Sequence, residues 1–249
     1  MALFSAEAVL LDVVNLHEAD QIVTFLTAES GKKRGVTSGS RRKHSRFAGQ
    51  LQLLSRARVD WFDSGKSDLV RISSLEMLRP ATALQEDLEG ILLSCYLADQ
   101  LNEFIQDNED SALPYRLVNS TVDALLAGTD RNLAARFFEV WMLRLGGILP
   151  ALDRCSSCGR AYDERGAILP RGGESFVCHQ CARGGLEIPS DVLLAVAMIQ
   201  TSRLETLQTA GFPPAVLDRI ERLSAGIRRY FLQRELKSYK VMRETLAGT

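Results

Sequence analysis

Catalytic signatures are scarce in this chain of 249 residues, which has only three histidines. It lacks the phosphate-cradling G-x-x-x-x-G-K-[ST], the dinucleotide-binding G-x-G-x-x-G, the zinc-protease H-E-x-x-H and the hydrolase G-x-S-x-G. Carboxylates are plentiful, but their spacing follows solvated helix faces, so no general acid–base pair stands out. We therefore expect a protein without enzymatic turnover and assign no catalytic residue.

Long apolar runs are absent as well. Nowhere are there 18 consecutive apolar residues, the segment Met1 to Leu11 has no basic region, and Glu7 interrupts its apolar stretch. These features predict a soluble, cytoplasmic protein. The five cysteines are an odd number, which fits poorly with a secreted disulfide framework. Cys95 lies in an apolar helical stretch and is expected in the core.

Negative charge is missing from one segment. Between Gly31 and Val59 there is no carboxylate, although the net charge of the whole chain is only −1. Such a segregated positive field most commonly binds a phosphate backbone, and the alternative is a solvated loop kept basic for solubility. Nine basic residues of this segment are the predicted DNA-binding residues, with Arg71 as a weaker candidate: Lys32, Lys33, Arg34, Arg41, Arg42, Lys43, Arg46, Arg56 and Arg58.

The N-terminal part of the chain is predicted to consist of strands. Short segments rich in β-branched or alternating residues are separated by polar turns, and five strands within about 80 residues suit a small closed barrel. We expect residues 1–80 to form an OB-fold nucleic-acid-binding domain, although the pattern leaves other small barrels open. The predicted strands are residues 8–14, 21–26, 34–37, 51–62 and 69–72. Phe47 and Trp61 are the candidates for stacking on bases, with the barrel core as the alternative.

After Pro80 the pattern becomes helical, giving an α+β chain overall. Residues 81–150 hold four basic and eleven acidic side chains, whereas both flanking segments are net basic. We expect residues 81–249 to form an α-helical domain with a zinc-binding insertion at about 151–188. The predicted helices are residues 84–105, 114–126, 132–145 with Asp130 as N-cap, 192–201 with Ser190 as N-cap, and one long helix 214–246.

The last predicted helix carries a basic face. It is interpreted either as a second DNA or protein contact or as the solvated side of a surface helix. The residues of this face are Arg219, Arg222, Arg229, Lys237, Lys240 and Arg243.

Two C-x2-C pairs lie between the helical segments. Cys155 and Cys158 are followed, after nineteen residues, by Cys178 and Cys181. This spacing is typical of a four-thiolate zinc site, in which each turn presents two sulfurs to one tetrahedral ion. The predicted cofactor is one structural Zn²⁺, because four thiolates leave no open position for water; a redox dithiol pair or an iron–sulfur centre are alternatives. His179 is interpreted as a surface residue.

Four segments in this order resemble the RecO family of recombination mediator proteins. They are Glu18 to Thr27, Gly31 to Val36 with the basic loop after it, Arg136-Phe137-Phe138-Glu139 through Gly147 to Leu149-Pro150, and Asp153-Arg154-Cys155. The resemblance spans nearly the whole chain. Family members do not all keep the cysteines, so the zinc prediction depends on the spacing alone.

The resemblance implies an OB fold, a helical domain and a function in DNA repair and recombination. Members of the family bind single- and double-stranded DNA without sequence preference and anneal complementary strands. With RecR they help RecA replace single-strand-binding protein, whose acidic tail they recognise. This implies single- and double-stranded DNA, RecR, single-strand-binding protein and indirectly RecA as partners, and association with the nucleoid.

Two other functional classes remain open from the residues. In a protein–protein adaptor the basic segment would meet an acidic protein partner instead of DNA. A zinc protein of transcription or the ribosome would prefer a duplex sequence or RNA.

Overall fold

The computed structural model describes residues 2–172 and 174–247. The chain divides into two compact units. Of the described residues, the first unit holds 2–126 and 241–247, and the second holds those between 127 and 240. The predicted domain boundary at residue 80 falls inside the first unit.

Five strands of the first unit form a closed barrel in the order β1-β2-β3-β5-β4. All neighbours are antiparallel except β3 and β5, which run parallel, and β4 closes the barrel against β1. This topology is OB-like, as the sequence predicted. The strands are β1 Ala2–Leu16, β2 Asp20–Thr27, β3 Lys32–Thr37, β4 Arg56–Asp63 and β5 Leu69–Arg79.

Alternation along the strands builds the barrel core. Leu10, Val23, Phe25, Val59 and Trp61 all point inward and are at most 1% exposed. The ring of Phe25 meets that of Trp61 edge-on, with centroids 5.5 Å apart, an arrangement that aromatic pairs favour. Burial of these side chains supplies the main driving force for closing the barrel.

The prediction of a strand from residue 51 was wrong in its first half, since β4 begins only at Arg56. Leu54 has a left-handed backbone (φ 60°), which breaks an extended strand. Its side chain is nevertheless fully buried, and its N–H donates to the Leu10 carbonyl at 2.8 Å. Periodicity detected this apolar residue but not the turn that buries it.

Besides its C-terminal residues, the first unit contains two helices, α1 Leu88–Phe104 and α2 Ala112–Leu126, preceded by a 3-10 turn, Thr82–Gln85. The side chain of Asp87 caps α1 by accepting from the Gly90 N–H at 2.8 Å. Cys95, expected in the core, is instead exposed on α1. The apolar residues of α1 cover more of its circumference than the face that the helix buries, and Cys95 lies outside that face.

The second unit contains helices and a small two-stranded sheet. Asp130 caps α3, as predicted, by accepting from the Leu133 N–H at 2.8 Å, and α3 ends before Gly146. The elements are α3 Arg131–Leu145, β6 Ala167–Leu169, β7 Leu186–Ile188, α4 Ser190–Thr201, α5 Leu204–Ala210 and α6 Pro214–Leu232, followed by α7 Lys237–Leu246.

Two details of the helix prediction were wrong. The N-cap of α4 is Pro189, so Ser190 is its first residue. The predicted long C-terminal helix is broken into α6 and α7, because Gln233 adopts a left-handed conformation (φ 56°) and caps α6. The short helix α5 was not predicted.

A buried ionic network joins the helices of the second unit. Arg136 on α3 is 3% exposed and forms two hydrogen bonds of 2.7 Å to the carboxylate of Glu139. It also meets Glu221 of α6 at 3.2 Å, and Glu221 accepts from the Tyr239 hydroxyl at 3.0 Å. The network therefore fixes α3, α6 and the start of α7 through charged groups withdrawn from water.

Candidate nucleic-acid surface and metal centre

Four of the nine predicted DNA-binding residues lie on the loop that joins β3 to β4. It is held against the β1–β2 turn: the Gly39 N–H donates to Asp20 at 2.7 Å and the Arg41 N–H donates to the Ala19 carbonyl at 3.0 Å. The Arg41 guanidinium donates to the Glu18 carbonyl at 3.2 Å. Backbone contacts thus order the loop, and its cations remain at the surface.

Five of the predicted cations are exposed on this loop or on the adjacent strand and form no ion pair with any carboxylate in residues 2–172 and 174–247. The guanidinium of Arg46 lies 5.0 Å from the centroid of the Phe47 ring, which supports the side chain from below. These residues, which we call the basic loop surface, are Arg34, Arg41, Arg42, Lys43 and Arg46.

Arg71, the weaker candidate, extends the cationic outer face of the barrel. Arg71 on β5 pairs with Val36, two residues after Arg34 on β3, so both arginines lie on the outer face. Its guanidinium also lies 5.5 Å from the centroid of the Phe62 ring. A cation and a partly exposed ring therefore lie side by side on the outer face.

The side chains of Lys32 and Lys33 interact with other residues of the chain. Lys32 is 9% exposed, and its amine donates to the Asn102 carbonyl at 2.7 Å and meets Asp107 at 3.3 Å. Lys33 donates to Asn108 at 2.7 Å. Lys32 in particular holds β3 to the end of α1, and we leave it out of the basic loop surface.

Arg56 and Arg58 lie on β4 and are not brought to the loop. Arg58 lies 3.8 Å from Glu7 of β1. On its other side it is opposite Glu76 of β5 in the strand register, so carboxylates flank its charge. Arg56 is half-buried opposite Arg79. Glu7 lies in the first half of β1, whereas the β1–β2 turn follows its last residue. The two arginines thus belong to a different part of the barrel surface.

The aromatic residues proposed for stacking are core residues. Phe47 is 2% and Trp61 1% exposed, so neither can stack on a base. The sequence analysis missed two better placed rings: Phe4, which is 43% exposed and stacked on Trp61 at 5.6 Å, and Phe62 beside Arg71. The sequence could have identified Phe62, because consecutive strand residues face opposite sides and Phe62 must face outward if Trp61 faces inward.

The four cysteines predicted to bind metal come together. Their sulfurs all lie within 4.8 Å of one another, and those of Cys158 and Cys178 are 3.8 Å apart. Each C-x2-C pair forms a tight turn: the Gly159 N–H donates to the Cys155 carbonyl at 2.9 Å, and the Cys181 N–H donates to that of Cys178 at 3.0 Å. His179 is half-buried and is not part of this cluster.

Close backbone packing supports the two turns. A Cβ on Gly166, whose φ is 86°, would lie 2.1 Å from the Ile188 carbonyl oxygen, so no other residue fits there. The Tyr162 hydroxyl donates to the Arg154 carbonyl at 2.6 Å and to that of Phe176 at 3.1 Å. The Tyr162 bonds link residues near the two cysteine turns, and the Gly166 contact lies where β6 begins and β7 ends.

The electrostatics of the cluster fit a thiophilic divalent cation. Burial raises the pKa of Cys155, but hydrogen bonds from the backbone of Cys178, Cys158 and Ser157 outweigh it and lower this pKa to about 6. Hydrogen bonds with the side chains of Cys158 and Cys178 raise the pKa of Cys181 to about 12. Four adjacent thiolates repel one another, so a bound cation is needed for all four to ionise together. The cluster is suited to a structural metal site, since four thiolates close the coordination sphere.

Together these features define a class of protein, in which one chain joins an OB-like barrel with a cationic surface to a helical unit with a four-cysteine metal site. The model of the recombination protein O N-terminal domain matches residues 1–81, and that of the C-terminal domain matches residues 85–240. The chain therefore belongs to the RecO family. The family is one of DNA repair and recombination.

Individual relatives agree along nearly the whole length. A DNA repair protein RecO of Anaeromyxobacter sp. (strain K) is 31% identical over 230 residues, which cover 91% of each chain. That of Myxococcus xanthus is 31% identical over 248 residues, covering 97% of this chain and 98% of the relative. That of Geobacter metallireducens is 28% identical over 239 residues, covering 96% of each.

Among the described residues, every helix is too short or too polar to cross a membrane.

Proposed function

We propose that this chain is a DNA-binding recombination mediator without enzymatic turnover. It binds single- and double-stranded DNA without sequence preference, anneals complementary strands and, with RecR, helps RecA replace single-strand-binding protein. Membership of the RecO family supports the role in repair. The observation that carries the binding step is the basic loop surface, whose cations form no ion pair with any carboxylate in the described part of the chain.

The chemistry of that surface favours the DNA backbone as its ligand. Guanidinium groups bind phosphate oxygens in a bidentate manner, and phosphates are the same at every base. Binding by Arg34, Arg41 and Arg42 therefore carries no sequence information, as an annealing protein requires. Phe62 beside Arg71 offers a ring on which any base can stack, which adds affinity for single strands without adding specificity.

The four-cysteine site has a structural role in this proposal, with one Zn²⁺ as its ion. The residues that would hold it are Cys155, Cys158, Cys178 and Cys181. Bound zinc would contribute folding free energy to a segment that has little apolar content of its own.

A salt titration tests the proposed binding surface. We would measure the anisotropy of a labelled single strand of about 12 nucleotides, within the range that one OB fold covers, over several salt concentrations. The R41A/R42A/K43A variant should bind more weakly to every sequence, and the slope of log K against log salt should become shallower by about 2, since each lost phosphate contact contributes about 0.7.

A charge-matched control separates local contacts from overall charge. The R116A/R203A/K237A variant removes three exposed cations elsewhere, and its slope should equal that of the unmodified protein. Equal slopes for both triple variants would contradict the proposed surface. Binding of an acidic peptide without any binding of DNA would support the adaptor class instead.

A further inference from the structure

The second unit contains a cationic groove that has no part in the proposed DNA binding by the barrel. Two cavities, of about 390 Å³ and about 570 Å³, adjoin one another because Pro170 and Arg171 line both. The first lies between the end of β6 and α6, and the second runs along the turn of the second cysteine pair, where Cys181 forms part of its wall. Because they share these two lining residues, we treat the two cavities together and call them the zinc-side groove.

Four exposed arginines line the zinc-side groove: Arg171, Arg183, Arg222 and Arg229. None of them forms an ion pair with a carboxylate among residues 2–172 and 174–247. Arg222 and Arg229 are two turns apart on α6, or about 10 Å along the helix axis. They can therefore contact different charges of one extended ligand.

Arginines outnumber the carboxylates near the groove. Glu235 lines the groove, but it accepts from the buried Arg228 at 2.9 Å, so its charge is compensated. Glu174 accepts from the hydroxyl of Tyr230, another lining residue, at 3.4 Å; this donor is neutral, so Glu174 keeps its negative charge. Four arginines against this one charge leave the groove with a net positive potential.

The wall beyond Arg183 is bare backbone. Gly184 and Gly185 line it, with φ values of 112° and 150°. A Cβ on Gly184 would meet nothing within 4 Å, so open space lies above the backbone there, whereas a Cβ on Gly185 would lie 2.2 Å from the Leu169 carbonyl oxygen. A polymer can therefore approach closely along the floor.

We propose that the zinc-side groove is a second binding site for a nucleic-acid backbone. Four unpaired guanidiniums spaced along an open groove suit a polymer with a regular repeat of negative charge better than a small anion, which needs an enclosed site. The inference extends the proposed function, since annealing requires two strands on one protein. The barrel surface holds one strand and the groove holds the other.

The basic face that was predicted for a single C-terminal helix is thereby divided between α6 and α7 and between two environments. Arg222 and Arg229 line the groove, whereas Arg219 lies 3.8 Å from Asp191 and Lys237 is exposed outside the groove. This gives a pair of variants that remove the same charge from neighbouring positions: R222A/R229A within the groove and R219A/K237A outside it.

The test compares these two variants of the full chain in the anisotropy titration described above. In the R41A/R42A/K43A background, where binding at the barrel is weakened and the strand occupies the groove, adding R222A/R229A should make the salt slope shallower by about 1.4, the contribution of two phosphate contacts on a single strand. Adding R219A/K237A to the same background should leave the slope unchanged. Equal slopes for R222A/R229A and R219A/K237A would overturn the inference.

Failure of the inference and failure of the proposed barrel surface are distinguishable. An unchanged slope in R41A/R42A/K43A with a reduced slope in R222A/R229A would refute only the barrel surface. Loss of oligoglutamate binding in R222A/R229A with DNA binding intact would overturn the groove as a nucleic-acid site. Circular dichroism and zinc content check that the variants fold, and R171A/R183A, on loops instead of α6, should reproduce the effect of R222A/R229A.

Discussion

Arg136 and Glu139 lie one helical turn apart on α3 and are joined by two hydrogen bonds of 2.7 Å, although the side chains are only 3% and 1% exposed. The pair belongs to the Arg136-Phe137-Phe138-Glu139 segment on which the family resemblance partly depends. Its contacts explain what the segment does: a buried, fully paired guanidinium connects α3 to α6 through Glu221. The segment thus holds α3 and α6 of the second unit together.

Breaking this pair should be costly. R136A removes the buried guanidinium that pairs with both Glu139 and Glu221, so we expect the free energy of unfolding to fall by about 3–5 kcal/mol. Replacing both partners by apolar residues, as in R136M/E139L, should cost less than R136A alone because the buried Glu139 carboxylate is removed together with its cation. Urea unfolding followed by circular dichroism measures both. A larger loss for the double variant would contradict the network.

Lys32 and Arg34 are close in sequence but should behave differently. K32A removes a buried amine that bonds to Asn102 and Asp107, so we expect about 1.5–3 kcal/mol lower stability and an unchanged salt slope for DNA binding. R34A removes an exposed cation, so stability should be unaffected and the slope should become shallower by about 0.7. Thermal unfolding and the anisotropy titration distinguish the two, and the reverse pattern would refute the assignment.

The four-cysteine site should hold one zinc ion per chain. We expect elemental analysis to give one equivalent in the unmodified protein and much less in C158S, which loses one of four ligands. Removal of the metal by a chelator should expose the segment between the cysteine pairs to trypsin, which can then cleave at Arg160 and Arg165. C95S provides the control, because Cys95 lies outside the cluster, and should keep its zinc. Full zinc content in C158S would contradict the site.

Phe62 should contribute to single-strand binding. F62A removes an outward ring beside Arg71 and should weaken binding to a single strand by about 1–3 kcal/mol, with less effect on a duplex, whose bases are already stacked. Leu3 pairs with Phe62 across the strands and is 62% exposed, so L3A removes neighbouring apolar bulk without a ring. Equal affinities for F62A and L3A would argue against stacking.

Local patterns in the sequence predicted the elements that local chemistry determines. The cysteine spacing alone identified all four members of the cluster, and Asp130 was correctly identified as a helix cap. The five barrel strands followed from alternation and turns, although a buried turn at Leu54 was taken for strand.

Long-range contacts could not be predicted in this way. Lys32 was grouped with the surface cations because its partner Asn102 is seventy residues away. The burial of Arg136 depends on Glu221, which lies on another helix. Arg183 and Arg222 line neighbouring cavities only in the folded chain. Charge in a sequence shows how many cations exist, and only the fold shows which of them are compensated.

The central claim is that the protein holds two DNA strands through their backbones and joins them. The most direct measurement is the rate at which two complementary strands carrying a donor and an acceptor dye anneal, with and without the protein, for several unrelated sequences. We predict acceleration for every sequence, reduced by R41A/R42A/K43A and by high salt. No acceleration for any sequence, under conditions where the protein is folded and contains zinc, would contradict the account.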